Sequence, residues 1–567
     1  MIPVSRILAS IPEQEKSPTV LLLISVIEQQ QQIIDQQQQI IDQQQQILEQ
    51  QQEEVLLLKE EGQLLKEKVG VLETEIKRLK KLPPKPKIKS NLPNDDDDDN
   101  SDGTSDSGDN NRKPPKPRKR KKNLPIHKIE VVLPQDLPAD SRLMGYQNYK
   151  VQDLIIQSQN TLYRLARYRT PEGKIVIGKL PEHLQGSHFG ETLTSYILYQ
   201  HYHLRVTQPL IHKQLTEFGI DISRGQISKI LIERKESLHL EKGELLTAGI
   251  NHSSYIQADD TGARHNGKNG YCTHIGNETF AWFASTHSKS RINFLKLLRG
   301  ASIHYTLNEV AFSHMAALGL SKTELQSLRE SLILHFEGDQ QWSDHLQRLK
   351  ISSQRHIKIA TQGALLGSLS ASGLPSELVI ISDDAGQFNI LNHALCWVHA
   401  NRLFQKIIPL NDDHTRALGW IHSWIWSLYA DLQQYKKAPS KLTRAAIEQS
   451  FDMLCQTEST FATLNQALKR LAKNKDELLL VLDYPEIPLH NNLSERDIRE
   501  YVIKRKISSG TRSENGRRCR DTFLSLIKTC RKQSISVWDF IRDRTSAENR
   551  IPYLPDLLSG KVCLLKA

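Results

Sequence analysis

The stretch that decides the fold reads SYIQADDT and occupies residues 254–261. Its apolar residues predict a buried strand, and that strand ends in two adjacent carboxylates, Asp259 and Asp260. The next segments, GYCTHIGN at 270–277 and ETFAWFAS at 278–285, alternate in polarity and predict two strands joined by a Gly-Asn turn. A helix is expected to follow them. The region therefore opens as three successive strands and a helix, with acids at the end of the first strand.

A second apolar segment also ends in paired acids. ELVIIS at residues 377–382 predicts another buried strand, and Asp383 and Asp384 follow it directly, with a predicted helix at 387–391. Strands and helices in this order, with acids closing two of the strands, predict an α/β core of the ribonuclease H-like type. Side chains alternate along a strand, so one member of each acid pair is expected to face a shared site.

The third acid lies near the C-terminal end of the chain. Glu495 belongs to the block HNNLSERDIR, residues 490–499, where helical spacing places it one turn from Arg499. Strand Asp, strand Asp and helix Glu is the order found in enzymes that cut DNA with two metal ions. Each acid also has a structural interpretation, because strand-end Asp residues commonly cap turns and helix-start Glu residues interact with the helix dipole.

Three carboxylates are suited to hard divalent cations. Mg²⁺ prefers oxygen ligands and keeps part of its water shell, so three carboxylates and the phosphate oxygens of a substrate are sufficient; Mn²⁺ accepts the same ligands. With two such ions, one activates the attacking water or 3′ hydroxyl and the other stabilises the leaving oxygen. The pattern predicts hydrolysis and transesterification of DNA phosphodiesters.

The composition is compatible with a DNA partner. The chain has 567 residues, with 75 Lys and Arg against 65 Asp and Glu, a formal charge of +10. Its cysteines show no close pairing that would indicate a disulfide framework or a structural zinc site. They are Cys272, Cys396, Cys455, Cys519, Cys530 and Cys563. The apolar run at 19–27 is too short to span a bilayer, and no secretion signal is evident, so we expect a cytoplasmic, nucleoid-associated prokaryotic protein without a membrane partner.

The N-terminal region is built on a seven-residue repeat. After a segment at 1–26, the heptads of residues 27–82 are glutamine-rich at first and become leucine-rich from about residue 55, which predicts a coiled coil. Such a coil would make the protein a homo-oligomer; the alternative is a single charged helix packed on the body. Residues 83–125 are rich in proline and pass from acidic to basic, which predicts a disordered linker that is either solvated or in nonspecific contact with phosphates.

Two groups of residues are candidates for binding double-stranded DNA, at the element ends and at the target. Residues 126–250 are predicted to be mostly helical, with a possible helix-turn-helix at 207–238 whose second helix would carry Arg224, Gln226 and Lys229. A purely structural hairpin is the alternative. The other group is a basic cluster beside Glu495, which would hold phosphates, or else form a solvated face. It includes Arg496, Arg499, Lys504, Arg505 and Lys506.

Several blocks together resemble the insertion sequence 66 family of bacterial transposases. They are DDT at 259–261, SDD at 382–384, CWVHANR at 396–402, NNLSERDIR at 491–499, KRK at 504–506 and SG at 509–510. The resemblance implies a DDE-type transposase in which Asp259, Asp383 and Glu495 are both the catalytic residues and the metal ligands. It also implies a structural role for Cys396 and His399, whose spacing alone makes a poor zinc site.

The catalytic domain is expected at residues 251–545, with added helical segments at about 303–367 and 412–475, and a C-terminal tail at 546–567. The first hypothesis is an active transposase of an insertion sequence. A catalytically inactive DNA-binding or regulatory relative is the second, and a ribonuclease H-like nuclease or resolvase is a more distant third.

Overall fold

The structure is a computed structural model. It describes residues 12, 18–19, 25–27, 29–34, 36–37, 125–134, 141–180, 188–300 and 302–561. The leucine-rich heptads from residue 55 and the linker up to residue 124 lie outside the described residues, as do most of the glutamine-rich heptads, so the coiled coil and the linker remain predictions. The chain divides into two units, residues 1–144 and residues 145–567. No helix among the described residues is long and apolar enough to cross a membrane.

The second unit begins with a small hairpin and a group of helices. The hairpin pairs β1 (Arg167–Arg169) with β2 (Ile175–Ile177). The helices are α1 (Glu191–Leu198), a π-helix (Tyr199–His203), α2 (Gln208–Glu217), α3 (Arg224–Ile232) and α4 (Glu236–Asn251). Two helices with a turn lie where the helix-turn-helix pattern was seen, and Gly219 takes a positive φ of 74° in that turn. The second helix ends at Ile232, before the expected Leu238, because Arg234 adopts a positive φ of 55°.

The strands that carry the first acids follow α4 directly. They are β3 (Tyr255–His265), β4 (Lys268–Gly276) and β5 (Ala281–Thr286), and α5 (Arg291–Arg299) comes next. The predicted order of three strands and a helix is confirmed. The prediction that the first strand ends at its acids is wrong, because β3 continues beyond Asp259 in antiparallel pairing with β4. The third strand also begins later than expected, at Ala281, because the Asn277 side chain accepts the backbone N–H groups of Thr279 and Phe280 in a turn.

A mostly helical segment separates α5 from the second acid-bearing strand. It comprises β6 (His304–Thr306), α6 (Glu309–Ala317), α7 (Lys322–Arg329), β7 (His335–Glu337), α8 (Gly338–Arg348) and α9 (Gln354–Ala371). The short strands β6 and β7 pair antiparallel with each other. The sequence predicts only helices here, so this pair of strands was not expected. The remaining strands are β8 (Val379–Ser382) and β9 (Asn392–Leu395).

The predicted helix at 387–391 is wrong. The residues between β8 and β9 form turns, in which Phe388 N–H donates to the Ala385 carbonyl and Leu391 takes a positive φ of 53°. A positive φ at a bulky residue breaks helical continuity. The chain instead returns directly to the sheet as β9, a short strand that the sequence did not reveal.

The C-terminal half is helical. It contains α10 (Trp397–Gln405), α11 (Asp412–Tyr435), α12 (Lys441–Gln456), α13 (Ala462–Lys473), α14 (Lys475–Leu478), a 3₁₀-helix (Leu480–Leu482), α15 (Asn492–Ser508), α16 (Glu514–Lys532), α17 (Val537–Ser546) and α18 (Leu554–Leu558). Residues 412–475 contain α11, α12 and α13 and the start of α14, and their status as an added segment stays a prediction. Leu554 in α18 is fully buried, and its N–H donates to the buried carboxylate of Glu241 in α4.

The five main strands form one mixed sheet in the order β5-β4-β3-β8-β9. Strand β3 is antiparallel to β4 and parallel to β8, and β8 is parallel to β9. Alternation along these strands divides the core into two. Ile256 and Ile380 belong to one apolar cluster, whereas Val379 and Ile381 belong to another, which is completed by α11, α12 and α13.

Helix α16 covers the exposed edge of this sheet. Strand β5 pairs only with β4 within the sheet, so its outer N–H groups require other acceptors. Thr529 Oγ1, Ser525 Oγ and Asp521 Oδ2 accept these groups from Ala281, Phe283 and Ser285 at 3.1, 2.9 and 2.7 Å. The match arises because four helical residues rise about 6 Å, close to the roughly 6.8 Å of two strand residues.

Candidate functional site

Strand register places the first two acids side by side. The last parallel pair between β3 and β8 joins Gln257 to Ile381, and Asp259 and Asp383 each lie two residues further along. Because side chains of parallel neighbours in register point to the same face, these two carboxylates share a face. The same alternation along β3 sends the neighbouring Asp260 away from it.

The second member of each acid pair has its own partners. Asp260 accepts hydrogen bonds from Thr273 Oγ1 at 2.5 Å and from Gln387 Nε2 at 2.9 Å. Asp384 forms an ion pair with Arg470 of α13. The sequence left open which acid of each pair faces the shared site, and the structure directs Asp259 and Asp383 toward the face that carries α15.

Helix α15 is anchored to that face by the residues surrounding Glu495. Asn491, which precedes the helix, is fully buried, and its Nδ2 donates to the Ala258 carbonyl at 2.8 Å. The N–H of the buried Ser494 donates to Gln257 Oε1 at 3.2 Å, and its hydroxyl lies 2.7 Å from His274 Nδ1. On β3 the contacted residues, Ala258 and Gln257, lie one and two positions before Asp259, and His274 lies on β4. The start of α15 is therefore positioned against the acid-bearing strand.

One turn further along, Asp497 anchors the same helix through buried ion pairs. Its carboxylate lies 3.2 Å from His274 Nε2, 3.1 Å from Lys528 Nζ and 2.8 Å from Lys532 Nζ. Its pKa is held well below the usual value because His274 and the two ammonium groups together outweigh the opposing effect of burial. The two lysines belong to α16, so this cluster joins α15, α16 and β4.

The other two predicted acids act electrostatically on Asp259. The pKa of Asp259 is raised to about 7, first by burial and then by the negative charges of Asp383, Glu495 and Asp260, with the Asp260 N–H acting in the opposite direction. Mutual repulsion of this kind is what a cation relieves when it binds between carboxylates. The donor set therefore fits hard divalent cations, although no group of three or more His, Cys, Asp or Glu among the described residues is already arranged as a metal site.

His399 and Arg402 of α10 face Glu495. His399 Nε2 lies 3.3 Å from Glu495 Oε1 and 2.8 Å from Arg402 Nη1, and Arg402 Nη1 lies 3.4 Å from the same carboxylate oxygen. The pKa of His399 is lowered, first by burial and then by Arg402, against the opposing influence of Glu495 and Asp383. The sequence predicts only a structural role for His399 and does not indicate that its side chain lies beside Glu495.

Cys396 has a different environment. Its side chain is buried, and its Sγ accepts the backbone N–H of Asn491 at 3.2 Å. The N–H of the neighbouring Trp397 donates to the Leu489 carbonyl at 3.0 Å. These two bonds join the start of α10 to the segment that leads into α15, and the structural role of Cys396 stays a prediction.

The predicted DNA-binding residues are distributed over several surfaces. Arg224, Gln226 and Lys229 are exposed on α3, and Arg496, Arg499 and Lys506 are exposed on α15. Arg505 is half-buried over β3, since a side chain at Gly262 would approach its Nη1 to 3.1 Å. Lys504 differs from the rest of the cluster. Its Nζ donates to the His201 carbonyl at 2.8 Å, and burial, assisted by Arg520 and Arg205, lowers its pKa to about 7.

The turn after α15 explains the Ser-Gly block. Ser509 takes a positive φ of 57°, and a Cβ on Gly510 would lie 2.2 Å from the Arg264 carbonyl oxygen. Thr511 N–H donates to that carbonyl at 3.0 Å, and Asn266 N–H donates to the Thr511 carbonyl at 2.7 Å. Only glycine permits this close approach, which fastens the end of α15 to the β3–β4 hairpin.

A groove of about 470 Å³ opens beside Asp383, between the loop after β8 and helices α10 and α13. Asp383 and Asp384 line one side of it, and Arg402, Lys406 and Arg470 contribute positive charge. Sequence reasoning missed this groove, because no pattern indicated that α13 would lie beside α10. It also missed His274 and Asp497, although the presence of Asp497 in the distinctive block was a usable signal.

Comparison with known proteins identifies a family for this chain. A model of the family described as "Transposase IS66 family" matches residues 186–305 and 350–518, and the interval between the two matched regions contains α6, α7, β7 and α8. An uncharacterized protein of Sinorhizobium fredii, y4jO, is 39% identical over 320 residues, which are 56% of this chain and 100% of the relative. The matched regions contain all three predicted acids, and the family supports a function related to transposition. On this ground the chain belongs to the IS66 family of transposases.

Proposed function

We propose that this protein is a DDE-type transposase that cleaves DNA at the ends of an insertion sequence and joins those ends to target DNA. The proposed catalytic residues and metal ligands are Asp259, Asp383 and Glu495, which would hold two ions of Mg²⁺ or Mn²⁺. The observation that carries the proposal is the register of β3 and β8, since it brings two strand-borne acids to the face where α15 presents a third.

The protein's own groups have distinct tasks in this reaction. Asp259, Asp383 and Glu495 would hold the divalent ions, which would supply activation of the attacking water or 3′ hydroxyl and stabilisation of the leaving oxygen. The hydrogen bonds of Asn491 and Ser494 to β3 anchor the start of α15 and would keep Glu495 in place. Exposed Arg496 and Arg499 lie on the same helix and are placed to bind backbone phosphates of the DNA.

The sheet order supports a ribonuclease H-like core. An antiparallel β5-β4-β3 sheet continues into parallel β8 and β9, with Asp259 within β3 and Asp383 directly after β8. The proposal extends to double-stranded DNA as partner, read in part by α3, and to homo-oligomers formed through the predicted coiled coil. An inactive DNA-binding relative is the competing function; the strand register that brings Asp259 and Asp383 to one face beside α15 favours a working metal site instead.

The test is Mg²⁺-dependent cleavage and strand transfer on DNA that carries the ends of the element, comparing the parent with Glu495→Gln. The matched control is Glu330→Gln, because Glu330 is an exposed acid at the end of α7. Loss of both reactions in Glu495→Gln alone is expected. Equal activity of Glu495→Gln and the parent would show that the proposed site is wrong, and an inactive parent that still binds these ends would favour the regulatory relative.

A further inference from the structure

We propose that the groove between α10 and α13 is a nucleotide subsite for one strand of the DNA substrate. In this subsite Arg402, Lys406 and Arg470 hold backbone phosphates, and the apolar wall receives one base that has left the duplex. The inference rests on the proposed function, because it places this strand next to the phosphodiester that reacts beside Asp383. It adds a contact that the acids themselves do not provide.

The charges of the groove are arranged for a phosphate chain. Carboxylates repel DNA, so a strand that approaches Asp383 needs compensating positive charge close by. Lys406 is exposed and, among the described residues, makes no ion pair. Arg402 is 44% exposed and its guanidinium reaches Glu495, so it connects the groove to the acids.

Arg470 is oriented by an ion pair that is too exposed to be strong. Its guanidinium pairs with Asp384, but the arginine side chain is 55% exposed and the aspartate side chain 47% exposed. Ion pairs this exposed contribute little to stability, so a phosphate can replace the carboxylate as the partner of Arg470. Asp384 thus keeps the arginine oriented into the groove until DNA arrives.

The size and lining of the groove select a single nucleotide. Its volume of about 470 Å³ lies within the range of pockets that enclose one small molecule and is too small for a duplex. Ala400, Leu403 and Leu471 form an apolar surface beside the cations. Enzymes that hold an unstacked base use this combination, with an apolar surface for the base and positive charge for the flanking phosphates.

The groove can be tested by DNA binding in the absence of divalent ions, so that no cleavage occurs. The probe is the full chain with duplex DNA from the border of its own gene, carrying 2-aminopurine at one flanking position at a time. Fluorescence of 2-aminopurine rises when the base leaves the stack. The variant is Lys406→Ala with Arg470→Ala, and the matched control is Lys469→Ala, an exposed neighbour on α13 outside the groove.

Three results are expected. Parent and control produce a fluorescence rise at one flanking position, and the double variant loses that rise. The slope of log Kd against log salt concentration is smaller by about two in the double variant, because each lost phosphate contact lowers that slope by about one. Ala400→Leu, which fills the apolar wall, abolishes the rise on intact DNA but retains binding when that position is abasic.

Other outcomes overturn the proposal. If no position brightens, or if the double variant keeps both the rise and the salt dependence of the parent, the groove is only a solvent-filled cleft. If the parent cleaves the element ends with Mg²⁺ but shows no such rise, the subsite fails while the proposed function stands. If the parent neither binds nor cleaves these ends, both proposals are wrong.

Discussion

Replacing Asp497 with Asn tests whether the buried ion cluster holds the Glu495 helix in place. The Asp497 side chain is 7% exposed, and its lysine partners Lys528 and Lys532 are 13% and 11% exposed. Asparagine preserves the shape of the side chain but removes the negative charge. Both ammonium groups then remain largely buried; Lys528 still pairs with Glu500 at 3.3 Å, whereas Lys532 makes no second ion pair with a described residue.

The expected cost follows from that arrangement. Breaking a buried pair by removing one partner typically costs about 3–5 kcal/mol, because an uncompensated charge stays inside. Since Glu500 still compensates Lys528 in part, we expect the lower end, about 3 kcal/mol. That value corresponds to roughly a hundredfold change in the equilibrium constant for unfolding.

The assay is urea unfolding of the full chain, followed by tryptophan fluorescence. The control is Asp413→Asn, which removes the same charge from a pair with Arg416 whose side chains are 73% and 78% exposed. That control should change stability by no more than about 1 kcal/mol. A second variant that adds Lys532→Met to Asp497→Asn should recover part of the loss. If Asp497→Asn is no more destabilising than Asp413→Asn, the anchoring argument is refuted.

Three further predictions concern the elements around the site. Thr529→Val should cost about 1–3 kcal/mol in urea unfolding, because the Ala281 N–H at the sheet edge loses its acceptor. Gly510→Ala should cost at least about 1–3 kcal/mol, because the added Cβ would meet the Arg264 carbonyl oxygen at 2.2 Å. For Lys504, whose pKa is about 7 in the fold and about 10.4 when unfolded, the unfolded state binds more protons between these values. The parent should therefore gain stability relative to Lys504→Met as pH rises from about 7 to 10.

Matched substitutions separate these effects from general sensitivity to mutation. Thr323→Val, at an exposed threonine of α7, should change stability by less than about 0.5 kcal/mol. Gly419→Ala adds a Cβ that meets nothing within 4 Å and should be neutral or stabilising. Lys506→Met removes an exposed charge near Lys504 and should show no comparable dependence on pH. Equal behaviour of any variant and its control would contradict the corresponding argument.

Local patterns predicted the acid-bearing strands but missed β9 and some element ends. The alternation of residues 254–285 predicted three strands, and Asp383 follows its strand as expected. The end of β3 was misplaced because a polar pair suggests a strand terminus, whereas antiparallel pairing with β4 carries the backbone further. No helix forms at 387–391, because the chain turns tightly into β9 with a positive φ at Leu391. The turn is imposed by pairing within the sheet, which the local sequence does not reveal.

Functional residues divide along the same line. The block around Glu495 is recognisable because it combines anchors and a candidate ligand at helical spacing, which is a local property. Asp521, Ser525 and Thr529 recur every fourth residue for an equally regular reason, yet only the adjacent edge strand shows what they do. Along the chain, α11, α12 and α13 lie between Glu495 and the pair His399 and Arg402. The contact of these side chains with Glu495 is visible only in the fold.

The sequence by itself determined most of the main strands and helices, the distinctive Glu495 block and the family to which the chain belongs, since these depend on residue identity and short-range spacing. Only the tertiary structure decided which acid of each pair faces α15, because that choice requires the register between two distant strands. It also decided that Lys504 turns inward and that α13 adds Arg470 to the groove beside Asp383. Spacing along a helix or strand sets the faces of one element, whereas the meeting of two faces is set by burial and hydrogen bonding across the whole core.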